Sequence, residues 1–330
     1  MTMQTFIQTA NHFGKHRQPF FFVIDFEQQK PLIFPISEAS ENGIYFEFKT
    51  DLKQISNIQN TSEITKTFEL NAEKVAYQDY AMRFEKVKRE IQAGNSYLLN
   101  LTQPTKISTN YSLEEIFLAS KAKYKLLLAD QFVCFSPECF IKIEGNKIYS
   151  YPMKGTINAN EENAADKLLN SQKEFTEHNT IVDLIRNDLA LVSKNIQVTK
   201  YRYLDKVETH RGAIYQTSSE ICGELDTDWQ NNIGTMLAKL LPAGSISGAP
   251  KVKTVEIIQQ VEQQTRGYYT GIFGYFDGKD KLDSAVAIRY IEQQGKDYIF
   301  RSGGGITALS ALEDEYNELS EKIYAPISTV

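Results

Sequence analysis

Residues 269–306 read YTGIFGYFDGKDKLDSAVAIRYIEQQGKDYIFRSGGGI. Three runs in this stretch, 269–276, 284–292 and 297–301, have strand character, being rich in aromatic and β-branched residues. They follow one another before the glycine run 303–305 and a final helix expected over 313–323. Working outward, strands are expected at 19–26, 32–35 and 44–48, the last preceded by the turn signal Asn42-Gly43. A helix is expected over 77–93, with Phe84, Val87 and Ile91 on one face and Gly94 as its stop. Further strands are read at 96–101, 132–135, 139–144 and 214–225. The run 161–189 is helical in pattern, and long enough to predict a break or kink. Another helix is predicted from Pro250, because proline suits the first helical position. Strands and helices mix without strict βαβ alternation, so the fold class is α+β rather than a doubly wound parallel sheet.

The chain has 330 residues, 42% of them hydrophobic and 24% charged, which is a globular composition. Lys and Arg number 36 and Asp and Glu 42, a net charge of −6. Nothing here suggests nucleic-acid binding, which leaves a basic face. No apolar run approaches the roughly 18 residues of a membrane span, and no secretory signal is visible. A cytoplasmic location is expected. Cys134, Cys139 and Cys222 are an odd number with no CxxC pair, which argues against disulfides or a thiolate zinc site.

Several clusters could carry chemistry. Glu174 and Glu177 share a helix face, and Glu315 and Glu318 repeat the spacing, with Lys322 one turn further on. Two such pairs facing each other could hold Mg²⁺, which prefers oxygen ligands; otherwise each is a solvated helix face. Gly244–Lys251 and 302–306 are glycine-rich, and each is either an anion-binding backbone or a tight turn. Lys154, in Tyr151-Pro152-Met153-Lys154-Gly155-Thr156, is either a surface lysine or a partly desolvated amine whose pKa burial lowers, making it a nucleophile. Glu138, in Ser136-Pro137-Glu138, is either a general acid or a turn residue. The histidines give no catalytic pattern: His12 and His16 lie in an uninformative N-terminal segment, His178 follows Glu177 on the long helix and reads as a packing or supporting residue rather than a ligand, and His210 lies in a polar loop. Serine-hydrolase and zinc-protease motifs are absent.

Taken in order, these segments resemble the chorismate-utilising enzyme family. The matching pieces are Ser136-Pro137-Glu138, Pro152-Met153-Lys154-Gly155-Thr156, Glu177-His178 with Asp183-Leu184-Ile185-Arg186-Asn187-Asp188-Leu189, and Gly244–Lys251. Downstream come Arg266-Gly267-Tyr268-Tyr269-Thr270-Gly271, Ala287-Ile288-Arg289, and Gly303-Gly304-Gly305-Ile306 ahead of Glu315-Tyr316-Asn317-Glu318. Each piece is weak alone, and their joint order is specific. Gln216 stands where many relatives carry histidine, and Leu98 where many carry glutamine.

The resemblance implies a large fold of two β-sheets packed together with helices outside. Residues 77–330 form its chorismate-binding region, and 1–76 a strand-rich extension of the same sandwich. It implies Mg²⁺ held by Glu174, Glu177, Glu315 and Glu318, and a protonated Glu138 donating to the leaving hydroxyl. Arg289 and Tyr269 match positions that bind the enolpyruvyl carboxylate. The backbone of Gly303 and Gly305, with Ser245 and Thr156, completes substrate binding, and Lys322 is a basic position near the metal. Lys154 decides among activities: anthranilate-forming relatives normally carry alanine there, while the aminodeoxychorismate-forming branch carries lysine. The implied reaction is amination of chorismate through a Lys154 adduct. Ammonia would come from a separate glutamine amidotransferase subunit, since no Gly-x-Cys-x-Gly elbow occurs in this chain. Anthranilate formation, hydration to isochorismate and non-catalytic chorismate binding are the alternatives.

Overall fold

The computed structural model describes residues 1–49, 54–58, 64, 66–209 and 212–327. His210 lies outside the described residues. The chain opens with helix α1 (Met3–Lys15), then strands β1 (Phe20–Ile24), β2 (Leu32–Pro35), β3 (Ile44–Lys49), β4 (Gln54–Ser56) and β5 (Leu70–Ala72). Helix α2 (Tyr77–Gln92), β6 (Leu98–Thr109) and α3 (Leu113–Ala119) follow. Strands β7 (Tyr124–Leu128), β8 (Phe132–Ser136), β9 (Cys139–Glu144), β10 (Lys147–Ser150) and β11 (Met153–Asn158) come next. Helices α4 (Ala164–Asn170) and α5 (Gln172–Ala190) precede the paired strands β12 (Lys194–Thr209) and β13 (Gly212–Glu224). The remainder is α6 (Ile233–Leu240), the single turn α7 (Gly244–Ser247), β14 (Gly248–Ala249), α8 (Lys251–Glu262), β15 (Ile272–Phe276), β16 (Lys281–Val286), β17 (Tyr290–Gln294), β18 (Asp297–Thr307) and α9 (Leu312–Glu321).

Among the described residues the strands form two nine-stranded sheets. The first runs β11-β13-β10-β9-β16-β15-β1-β2, with β12 on β13; the second runs β14-β6-β18-β17-β8-β7-β3-β4, with β5 on β6. The paired strands are antiparallel, which agrees with the α+β expectation. Phe21, Phe46, Phe48, Phe273 and Tyr275 come from both sheets and pack as one buried cluster between them. Phe21 stacks on Phe46 at 4.3 Å between centroids, and Phe48 meets Phe273 edge-on at 5.6 Å. Large aromatic rings at such a seam remove much apolar surface from water and lock the sheets face to face. Residues 1–76 supply strands to both sheets.

Among the described residues the chain changes sheet at β2–β3, β8–β9, β13–β14, β14–β15 and β16–β17, and two of these connections are short turns that meet. The chain leaves the second sheet after β8 and enters the first at β9, turning at Pro137-Glu138. It returns between β16 and β17, turning at Ala287-Ile288-Arg289, where Arg289 has φ +54°. The two turns are stitched together: Val286 N–H donates to the Glu138 carbonyl and Phe135 N–H to the Arg289 carbonyl, each at 3.1 Å. This corrects the single strand expected over 284–292. A run that looks continuous is two strands in different sheets.

Other boundaries moved for local reasons. The break expected within 161–189 falls at Ser171, whose side chain accepts from Glu174 N–H (3.3 Å) and starts α5. Arg202 closes the preceding helix by donating to the Leu169 and Leu168 carbonyls at 3.0 and 3.2 Å. The N-terminal segment is helix α1, which buries Phe6, Ala10 and Gly14 one turn apart. Residues 303–305 continue β18 instead of forming a turn. Pro250 is the residue before α8 rather than its first residue.

Candidate active site

The crossing from β16 to β17 makes the site. Strand β17 pairs with β18 only from Tyr290↔Arg301 onward, so residues 302–307 of β18 keep β6 as their one strand neighbour. Gly303 lies opposite Thr102, and Thr102 N–H is given to Glu262 Oε1 at 2.8 Å, not to Gly303. The pair is therefore a non-hydrogen-bonded one, and the N–H and C=O of Gly303 point to the open side, as do those of Gly305 two residues on. Lys322 Nζ takes up the Gly303 carbonyl at 2.8 Å. A buried ion pair fixes this edge: Arg266 binds both oxygens of Glu262, and donates to the carbonyls of Ile246 (2.9 Å) and Asn100 (2.6 Å). Such a pair is costly to break, because either partner alone would be an uncompensated buried charge.

The slot beside this edge is an open cavity of about 190 Å³. Lys154, Glu138, Ser245, Tyr269, Arg289, Gly303, Gly305 and Lys322 line it. Residues scattered from 138 to 322 thus meet at one place. Thr156 does not join them: it is exposed on β11, where Gly155 (φ +85°) lies within a register shift between Met153 and Thr156. The cavity is also lined by Ser245, Ile246 and Gly248 rather than by the first turn of α8. Gln216 turns its amide to Met153 Sδ.

Lys154 Nζ lies 2.8 Å from Glu177 Oε2, on a carboxylate that is buried. Burial pulls the lysine pKa down, as expected from the sequence. The Glu177 contact and the charges of Glu318 and Glu174 outweigh it and hold the amine above its ordinary range. This corrects the lowered pKa: the same helices that bury the lysine surround it with anions. Three glycines give these side chains room. A Cβ at Gly155 would come within 2.6 Å of Glu174 Oε2, one at Gly304 within 3.1 Å of Glu315 Oε2, and one at Gly305 within 3.4 Å of Lys154 Nζ.

Glu138 accepts a hydrogen bond from the Ser245 hydroxyl. Burial pushes the Glu138 carboxyl up, and Ser245 partly offsets it. Ser245 is thus engaged with the acid rather than free for a substrate carboxylate. Arg289 gives one N–H to the Lys322 carbonyl (2.9 Å) and lies over the Tyr324 ring. Tyr269 is buried, and burial pushes its phenol well up. Burial lowers the Lys322 amine despite its ion pair with Glu318 at 2.7 Å.

Burial and mutual repulsion raise the Glu174 and Glu315 carboxyls, while Lys322, Lys154 and Lys173 outweigh burial and lower Glu318. Among the described residues no group of three or more His, Cys, Asp or Glu side chains stands close enough to hold a metal ion. Glu177 is turned to Lys154 and Glu318 to Lys322. The donor set nonetheless suits a hard dication: four carboxylates with lysines as the present counter-charges.

His178 is the packing or supporting residue, rather than a ligand, that the sequence predicts, but its partners are not foreseen there. It is fully buried, its Nε2 lies 2.7 Å from Ser219 Oγ, and its Nδ1 faces the backbone of Lys154 without a well-formed hydrogen bond. Burial and the Arg202 charge depress it to about 4, so it is neutral. No spacing in the sequence links residues 178, 202 and 219, because the link runs from helix α5 to strands β12 and β13.

A family model described as chorismate binding enzyme matches residues 11–328. An uncharacterised PabA-like protein of Pasteurella multocida is 57% identical over 328 residues, covering 99% of this chain and 100% of that protein. Anthranilate synthase component 1 of Archaeoglobus fulgidus is 35% identical over 254 residues, 73% of this chain and 60% of that one. Aminodeoxychorismate synthase component 1 of Bacillus subtilis is 30% identical over 260 residues, 74% and 54% of the two chains. Among solved structures, the menaquinone-specific isochorismate synthase of Escherichia coli matches the fold with a TM-score of 0.73 at 15% identity, covering 97% of this chain and 80% of that one. Among the described residues no helix is long and apolar enough to cross a membrane.

Proposed function

This chain belongs to the chorismate-binding enzyme family, and we propose that it acts as aminodeoxychorismate synthase component I, converting chorismate and ammonia to 4-amino-4-deoxychorismate. The observation that carries this reading is Lys154, an amine in the cavity wall 16 residues along the chain from the half-buried acid Glu138. A primary amine beside a raised carboxyl supplies a nucleophile and an acid for the same displacement. Protonated Glu138 gives its proton to the leaving ring hydroxyl, and Lys154 attacks the ring. Arg289 holds the enolpyruvyl carboxylate by a charge-assisted bond, with Tyr269 beside it. The outward N–H groups of Gly303 and Gly305, with Lys322, receive the other carboxylate's end of the substrate.

Glu174, Glu177, Glu315 and Glu318 are the residues that would hold Mg²⁺. Bound there, the dication would neutralise a substrate carboxylate and draw off the negative charge that keeps Lys154 protonated. Ammonia is proposed to come from a separate glutamine amidotransferase subunit, placing the product in the synthesis of para-aminobenzoate and folate. Incubation with chorismate, Mg²⁺ and ammonia, followed by mass identification of the product, tests the reading. Aminodeoxychorismate supports it; anthranilate with pyruvate, or isochorismate, contradicts it.

A further inference from the structure

Two lysines stand among the four glutamates, and they are held unequally. Lys322 Nζ has two anchors, Glu318 Oε1 at 2.7 Å and the Gly303 carbonyl at 2.8 Å. Among the described residues Lys154 Nζ has one, Glu177 Oε2 at 2.8 Å. Glu177 is buried on α5, and a buried carboxylate needs a cation beside it at all times. Lys154 has somewhere else to go. It lines the open cavity, and on the side of β18 it meets Gly305, where a Cβ would come within 3.4 Å of its Nζ.

We infer that Lys154 and the divalent cation exchange at Glu177, so that the amine is latched to this carboxylate until the cation takes its place. The inference rests on the metal reading above and deepens it. One carboxylate oxygen cannot serve both partners, because a hard dication takes its oxygen ligands at about 2.0–2.1 Å and repels an ammonium on the same oxygen. Among the described residues no three acids converge, with Glu177 turned to Lys154 and Glu318 to Lys322. Drawing the carboxylates together therefore takes Glu177 away from Lys154. Exchange leaves Glu177 neutralised before and after, so neither state carries an uncompensated buried charge. Lys322 stays in place through its second anchor on Gly303. The consequence is an order of events: a substrate that meets the metal-free protein finds Lys154 still bound to Glu177, and the amine turns to the cavity once the cation is seated.

The test uses Mg²⁺ alone, without substrate. Its affinity is measured by titration calorimetry for the wild type, Lys154→Met, Lys154→Gln and Lys173→Met. Lys173 is exposed; its charge bears on Glu174, Glu315 and Glu318, but it is not the partner of Glu177. It is the control for a charge that acts at a distance. Both Lys154 variants are expected to bind Mg²⁺ about tenfold more tightly than the wild type, the weight of one charge-assisted hydrogen bond, and to keep that gain in high salt. Lys173→Met is expected to change the affinity by less than about threefold and to lose the difference in high salt, because exposed charges are screened. A crystal structure of the wild type with Mn²⁺ is expected to show Lys154 Nζ out of contact with Glu177. Equal affinity in the wild type and both Lys154 variants, or Lys154 still on Glu177 beside a bound cation, overturns the latch and leaves the metal reading standing. Absence of Mg²⁺ binding in all four proteins overturns the metal reading, and the latch with it.

Discussion

The carbonyl of Glu138 is hydrogen-bonded to the amide of Val286 across 148 residues of sequence (3.1 Å). It joins two of the turns at which the chain changes sheets, one carrying the proposed acid and the other, three residues on, Arg289. The slot between the sheets exists because these turns end β17 early and leave Gly303 and Gly305 facing outward.

The Glu138–Ser245 hydrogen bond sets a pH dependence. A general acid works only while protonated, so kcat falls as pH rises through its pKa. Burial raises that pKa and the Ser245 hydroxyl, by stabilising the carboxylate, lowers it. Ser245→Ala removes the lowering partner, and the alkaline limb of the kcat profile is expected to move to higher pH. A limb that stays in place or moves down assigns the proton to another group.

Gly155 tests the acidic end of the site without touching its carboxylates. Its φ of +85° strains any side chain, and a Cβ would press on Glu174 Oε2. Gly155→Ala is expected to cost about 1–3 kcal/mol in denaturant unfolding. It should also raise the Mg²⁺ concentration for half-maximal activity. Lost stability with an unchanged Mg²⁺ requirement would separate Glu174 from the metal.

Which features could be read beforehand follows from where their causes lie. A break within 161–189 was legible from the length of the run alone, while its place at the Ser171 cap was not read. Strand β12 was not recognised: Lys194–Thr209 is polar and lacks an apolar run, and its partner β13 holds it. The sheet change at Arg289 was hidden because apolar residues continue on both sides of it. Glu138, Lys154 and Arg289 were found by their motif neighbours, while His178 and its Ser219 partner meet only where helix α5 packs on β13. The Lys154 pKa was misjudged because burial was weighed before the anions that bury it were placed.

Metal dependence follows from the four glutamates. Glu318→Gln removes a charged oxygen donor from a half-exposed side chain, so the fold should persist by circular dichroism. Activity is expected to fall by about 100-fold or more. Undiminished turnover in excess chelator would remove Mg²⁺ from the account.

The source of nitrogen is equally open to test. The purified chain is expected to use ammonium salts alone, and to use glutamine only after a glutaminase subunit is added. Glutamine-dependent product from the single chain contradicts the two-subunit reading.

The central claim is that Lys154 forms a bond to the substrate, and intact-protein mass spectrometry during turnover tests it most directly. With chorismate and Mg²⁺ the wild type is expected to gain a chorismate-derived mass that ammonia discharges as aminodeoxychorismate. Lys154→Ala should bind chorismate, gain no mass and aminate it far more slowly. A mutant that makes aminodeoxychorismate at the wild-type rate, or a wild type that yields anthranilate and pyruvate with no added mass, would contradict the account.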